Sequence, residues 1–203
     1  MCGIAGVICT RRLETAVNRV ALSMVGQLKH RGPDSDGVWS DQESGIGLAH
    51  RRLSIIDLSE NGHQPMISTC GRFVLSFNGE IYNFQLLRKR LEAEQTDFRG
   101  HSDTEVFLNL CVKLGVKEAC NLANGMFAFA LWDRSRKELS LGRDRFGQKP
   151  LYYGLEAGNL FFASELKAFG AIPGFAPAIS PTARSLYFRH GYIPAPLSIY
   201  ENI

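Results

Sequence analysis

Residues 126–132 read MFAFALW, a run that is apolar on both of its alternating faces. Side chains of a strand point to opposite faces of its sheet, so a strand with one wet face carries polar residues at every second position. This run carries none, which predicts a strand dry on both sides. ELSLGRD (138–144), LYYGLE (151–156) and NLFFAS (159–164) follow at hairpin-like intervals. Their sheet must therefore lie beneath something else. Stacked sheets covered by helices account for one strand with two dry faces, and the chain reads as a layered α+β sandwich.

Upstream, IAGVI (4–8) is a short strand, and Val17, Val20, Ala21, Met24, Val25 and Leu28 recur at helical spacing. KHRGPDSDG (29–37) has the Gly, Pro and Asp density of a loop. GIGLAH (45–50), LSIID (53–57) and RFVLSF (72–77) read as strands, the last ending on a sharp break at Asn78-Gly79. Helices are expected over 84–95 and 103–114, the second opened by Ser102 and Asp103. After residue 173 a proline-rich connector (PGFAPAISP), a short helix (SLYFRHG) and an extended stretch (YIPAPLSIYENI) follow, so the chain reads as a piece of something longer. No internal repeat or low-complexity segment occurs.

The 203 residues, 45% hydrophobic, suffice for one well-buried domain with a short appendage. The net charge of +3 is spread along the chain, which argues against nucleic acid as a partner. Five scattered cysteines and five separated histidines lack zinc-site spacing, so no metal site is expected. The odd cysteine count and apolar setting of Cys111 suit reduced thiols and a cytoplasmic location. MCGIAGVICTRR places its apolar residues before its charges, the reverse of a secretory signal, and no stretch approaches a membrane-spanning length.

Four features can carry chemistry. Cys2 becomes the N-terminal residue if Met1 is removed, and an α-amino group, with a pKa of about 7.7 to 8.0, can then take the thiol proton. Otherwise Cys2 is an incidental buried thiol. In NGEIYN (78–83), a tight Asn-Gly step can aim the Asn78 amide and the Gly79 N–H at one oxyanion, or it is an ordinary hairpin turn. The arginines of AHRRLSIID (49–57) suit a bidentate grip on a carboxylate, or are solvated charges. Asp103 in HSDTE (101–105) can bind an ammonium or cap a helix.

Together and in this order these motifs resemble the glutaminase domain of the class II glutamine amidotransferases, the N-terminal nucleophile hydrolases, and most closely the glutamine-dependent asparagine synthetase branch. The resemblance also rests on HRGPD (30–34), Gln64-Pro65, DRFGQKPLYY (144–153) and FASELKA (162–168), and spans nearly the whole chain. It implies a four-layer αββα sandwich, with the glutaminase domain over residues 1–180 and a linker into a synthetase domain over 181–203. It implies that Cys2 attacks the L-glutamine carboxamide to give a thioester and ammonia. Asn78 and Gly79 then form the oxyanion hole, Arg52 binds the α-carboxylate and Asp103 the α-ammonium. Leu53, Ser54, Ile55, Ile56 and Glu80 line the same pocket, with Arg51 structural or a surface residue. His30 and Asp144 shape loops and core, and Tyr152, Tyr153, Phe161 and Phe162 are read as core.

The resemblance further implies that the ammonia serves an ATP- and Mg²⁺-dependent amidation of aspartate in a C-terminal domain, whose pyrophosphate loop does not occur here. No cofactor is expected in this chain, and a homodimer is left open. Two alternatives stand beside this reading: a related amidotransferase acting on a sugar or another carboxylate, and a fragment that keeps the fold without the activity.

Overall fold

The computed structural model describes residues 1–9, 16–156 and 158–203, apart from the side chain of Glu156. Arg11 and Arg12, part of the N-terminal signal argument, lie outside the described residues. Among the described residues, nine strands form two antiparallel sheets. The first holds β1 (Gly3–Cys9), β2 (Ser35–Asp41), β3 (Ile46–Arg52), β8 (Tyr152–Glu156) and β9 (Asn159–Ala163), in the order β2-β3-β1-β9-β8. The second holds β4 (Met66–Ile67), β5 (Phe73–Ile81), β6 (Gly125–Asp133) and β7 (Glu138–Arg143), in that order.

Buried clusters fix the layering. Helix α1 (Val17–Gly26) lays Val17, Val20, Ala21 and Met24 on Ala5, Val7, Ala49 and Phe161 of the first sheet. Helices α2 (Phe84–Ala93), α3 (Asp103–Leu114) and α4 (Val116–Leu122) cover the second sheet over Leu75, Phe77, Phe127 and Phe129. There Phe107 meets Phe129 at 5.1 Å and Phe77 at 5.5 Å between ring centroids, within the range of favourable aromatic pairing. Ile46, Leu48, Val74, Ala130, Trp132 and Phe162 fill the space between the sheets. The result is the four-layer αββα sandwich. The double-sided burial of MFAFALW has this cause: Phe127, Phe129 and Leu131 face the helices, and Ala130 and Trp132 face the other sheet.

Several local readings are corrected. LSIID (53–57) is not a strand: β3 ends at Arg52 and the chain curls into a loop. The Arg52 guanidinium donates to the Ser59 carbonyl at 2.9 Å and to the Asp57 carbonyl, and the Asp57 carboxylate accepts from the Ser59 N–H at 2.9 Å and the His101 N–H at 2.9 Å. These bonds wrap the chain around one side chain, leaving Ile55 59% exposed. The loop read over 29–37 ends early, because β2 starts at Ser35. Its polar sequence suits an edge strand, which among the described residues pairs only with β3.

The chain does not break at Asn78-Gly79. Strand β5 runs on to Ile81, with Asn78 opposite Ala128 and Gly79 opposite Phe127. Glycine is required there by close approach, since a Cβ on Gly79 would lie 2.4 Å from the Met126 carbonyl oxygen. The short helix is α5 (Pro181–His190), capped by Ser180, whose hydroxyl accepts from the Ala183 N–H at 3.3 Å. The final stretch is turn-rich rather than extended, tied back by a bridge between Ile179 and Tyr200. Phe161 and Phe162 are core, whereas Tyr153 is 61% exposed.

His50 is fully buried on β3, in the even-numbered row that carries Ile46 and Leu48 between the sheets. Burial depresses its pKa from 6.5 to about 3. The unfolded chain therefore takes up a proton that the fold excludes. The stabilisation is fully present above pH 6.5 and is lost as pH falls from there towards 3. We expect urea-unfolding free energies to fall by about 1.4 kcal/mol per pH unit from this residue below about pH 6. His50→Gln should have a correspondingly shallower acid slope.

Candidate active site

The site follows from strand parity. Odd residues of β1, β3 and β5 pack against helices (Ala5, Val7, Ala49, Leu75, Phe77), so even residues face the opposite sheet. Gly3 pairs with Arg51, and one further step sets Cys2 against Arg52. The even row of β5 ends in Asn78 and Glu80. Cys2, Arg52, Asn78 and Glu80 thus meet at one end of the seam between the sheets. They line a cavity of about 80 Å³, together with Leu53, Ser54, Ile55, Ile56, Gly79 and Asp103, room for several water-sized groups. Every residue singled out from the sequence as a site residue lines this one cavity.

The Cys2 thiol sits in the first turn of the loop after β3. The Leu53 N–H donates to Sγ at 3.4 Å, and Sγ lies 3.6 Å from the Leu53 carbonyl oxygen. Burial pushes the thiol pKa up; the Leu53 hydrogen bond, the N-terminal charge and Arg52 offset this only in part. At neutral pH the sulfur is therefore protonated and needs a base in order to attack.

Asn78 is buried, and its side-chain Nδ2 has no hydrogen-bond partner among the described residues. An unpaired buried donor costs about 1–3 kcal/mol. The Gly79 N–H has a related geometry. Phe77 and Ile81 donate their N–H groups away from β6, to Gln64 Oε1 at 2.6 Å and to Asp103 Oδ2 at 2.8 Å. Gly79, two residues from each, shares that direction and aims at the cavity side.

Asp103 opens α3, where its Oδ1 accepts from the Thr104 N–H at 2.8 Å, while Ser102 supplies the cap to Glu105. Ser102, not Asp103, is therefore the cap, and Asp103 lines the cavity. Burial raises the Asp103 pKa, against the lowering by its Ile81 and Thr104 hydrogen bonds. No salt bridge reaches it among the described residues. Arg51 pairs instead with Asp36 at 3.2 Å, outside the cavity. No group of three or more His, Cys, Asp or Glu side chains among the described residues is placed to hold a metal, and no helix among them is long and apolar enough to cross a membrane.

The sequence reading missed several supports. Arg31 Nε donates to the Cys2 carbonyl at 2.9 Å while its Nη1 holds Glu165 at 2.9 Å. HRGPD and FASELKA therefore meet behind Cys2, with His30 also 3.0 Å from Glu165. Asp144 accepts from the N–H groups of Gln148 at 2.9 Å and Lys149 at 3.0 Å, folding the DRFGQKP loop. This brings the buried Lys149 to the cavity wall. Asp34 accepts from the Ser54 N–H at 2.8 Å. Several of these partners lie far apart in the chain, and no local pattern in the sequence announces them.

The chain is an αββα sandwich, a face-to-face pair of antiparallel sheets between helical layers, with Cys2 at the mouth of the seam. The chain belongs to the glutamine amidotransferase domain family, whose profile matches residues 1–203. It is 39% identical over 205 residues to the glutamine-hydrolysing asparagine synthetase 1 of Bacillus subtilis, covering 100% of this chain and 32% of the relative. It is 37% identical over 194 residues to asparagine synthetase 3 of the same organism, covering 94% and 31%. The chain thus spans about a third of the length of these relatives. In fold it is similar to the glutamine phosphoribosylpyrophosphate amidotransferase of B. subtilis in complex with ADP and GMP. That match has a TM-score of 0.69 and 20% identity, over 83% of this chain and 43% of the other.

Proposed function

We propose that this domain hydrolyses L-glutamine to glutamate and ammonia through a thioester on Cys2. The observation that carries the reading is the gathering of a half-buried thiol, an Asn78 Nδ2 without a partner among the described residues, an edge N–H at Gly79, a guanidinium and a buried carboxylate around one cavity. After loss of Met1, the Cys2 α-amino group takes the thiol proton, and the sulfur attacks the carboxamide carbon. The resulting oxyanion is held by Asn78 Nδ2 and the Gly79 N–H. The ammonium returns its proton to the leaving nitrogen, ammonia departs, and water cleaves the thioester to glutamate.

Arg52 grips the substrate α-carboxylate, and Asp103 its α-ammonium, with Glu80 and the Leu53–Ile56 loop enclosing the rest. Arg52→Ala should raise KM for glutamine by about 10- to 100-fold, the worth of a charged hydrogen-bonded pair. Arg51→Ala should raise it far less, since Arg51 pairs with Asp36. Steady-state glutaminase kinetics of the two variants test this, and equal effects would contradict the assignment.

In the whole protein the ammonia goes to an ATP- and Mg²⁺-dependent synthetase domain that amidates aspartate. The names of the B. subtilis relatives support that acceptor. Residues 1–180 form the glutaminase unit and 181–203 lead towards that domain, with the protein in the cytoplasm.

A further inference from the structure

Strand β5 has an edge that its neighbour does not cover. β4 pairs only with Leu75 and Val74, so the outward peptide groups of Phe77, Gly79 and Ile81 have no strand beside them. Backbone groups in a buried setting must find partners. At Phe77 both are supplied by side chains. Gln64 Oε1 accepts from the Phe77 N–H at 2.6 Å, and His50 Nε2 lies 3.0 Å from the Phe77 carbonyl oxygen. His50 is fully buried and Gln64 nearly so.

A carbonyl can only accept, so His50 Nε2 carries the proton. In the neutral ring Nδ1 is then bare, and it has no partner among the described residues. A leucine or isoleucine, as at the other inner positions of β3, would fill this layer without an orphaned nitrogen. An imidazole here costs stability that packing alone does not require. Its return lies in what it holds: the Phe77 carbonyl shares one rigid peptide plane with the Asn78 nitrogen, and that plane is the base from which the Asn78 side chain and the Gly79 N–H project.

We infer that His50 and Gln64 are positioning residues which clamp Phe77 so that Asn78 Nδ2 and the Gly79 N–H converge on the oxyanion. This rests on the glutaminase reading and adds residues that do not touch the substrate carboxamide. Positioning of a hole that fills only in the transition state predicts a loss in turnover without a loss in ground-state binding.

The test is kinetics on the domain with Met1 removed. His50→Leu should lower kcat for glutamine by about 10-fold or more and change KM by less than about three-fold. Affinity for an aldehyde analogue of glutamine, whose adduct with Cys2 puts an oxygen in the same hole, should fall in step with kcat. Affinity for glutamate should hold. His50→Gln, whose amide N–H can reach the same carbonyl, should recover most of the turnover. If His50→Leu does not fold, Gln64→Leu carries the test with the same expected split, and Gln64→Glu, which keeps an acceptor, should restore turnover. Parental kcat in a leucine variant, or glutamate affinity falling together with kcat, overturns the positioning role. A parent domain without glutaminase activity overturns the functional reading instead.

Discussion

Cys2→Ala should lower glutaminase turnover by at least about 10⁴-fold, with glutamine still bound. Removing a covalent nucleophile leaves only the catalysis supplied by the oxyanion hole and by binding. The anchors proposed for the ligand are held without the sulfur: Arg52 by the carbonyls of Asp57 and Ser59, and Asp103 by the Ile81 and Thr104 N–H groups. A variant without the thiol therefore keeps its site. Calorimetric titration with glutamine should give an affinity within a few-fold of the KM-derived value for the parent, while ammonia release drops to background. Cys2→Ser should also fall steeply. A hydroxyl is a poorer nucleophile than a thiol, and burial, which already raises the thiol pKa, disfavours an alkoxide more.

The second large effect is at Asn78. Replacement by Ala should lower kcat by about 10²- to 10³-fold and leave KM nearly unchanged, because the hydrogen bond strengthens only as the oxyanion forms. Stability should move the other way. Asn78 Nδ2 is buried and unpaired among the described residues, so deleting it removes a desolvation cost of about 1–3 kcal/mol against the small loss of packing. Asn78→Asp is the sharper variant, since it keeps the shape and replaces the donor with an acceptor. Its turnover should be lower than that of Asn78→Ala. Steady-state kinetics paired with urea unfolding separates the two quantities. A variant that loses activity and stability together would make Asn78 a structural residue.

Much of this architecture was legible from local pattern. A strand with two dry faces required layers on both sides, and MFAFALW supplied it. Helix α3 was legible to the residue because Ser102, Asp103 and Glu105 are strong start signals and Gly115 adopts a φ of 82° at the stop. The failures share a cause. LSIID has the composition of a strand, but strand pairing needs a neighbour, and the competing interactions of Arg52, Asp57 and Ser59 were available instead. NG has the composition of a turn, yet β6 presents a partner to every residue of β5 from Phe73 through Ile81 and so pulls Asn78 and Gly79 into the ladder. Local propensity does not contain these long-range alternatives.

The site was legible in its residue types and not in its supports. Cys2, Arg52, Asn78 and Asp103 each had a plain structural alternative when taken alone. Strand parity brings the first three together, and it can be counted only once the register of β1, β3 and β5 is known; Asp103 joins them from the start of α3. Arg31, Gln64, His50 and Lys149 lie in this neighbourhood through pairings across 13 to 148 residues of chain, which no spacing rule in the sequence encodes.

The proposed mechanism passes through a glutamyl thioester on an N-terminal cysteine. Acid quenching of the domain during glutamine turnover, followed by intact and peptide mass spectrometry, tests it in one measurement. The expected species is a chain that lacks Met1 and carries a single glutamyl group on Cys2, absent without glutamine. A glutamyl group on any other residue, or turnover at the parental rate by a chain that retains Met1, would contradict it.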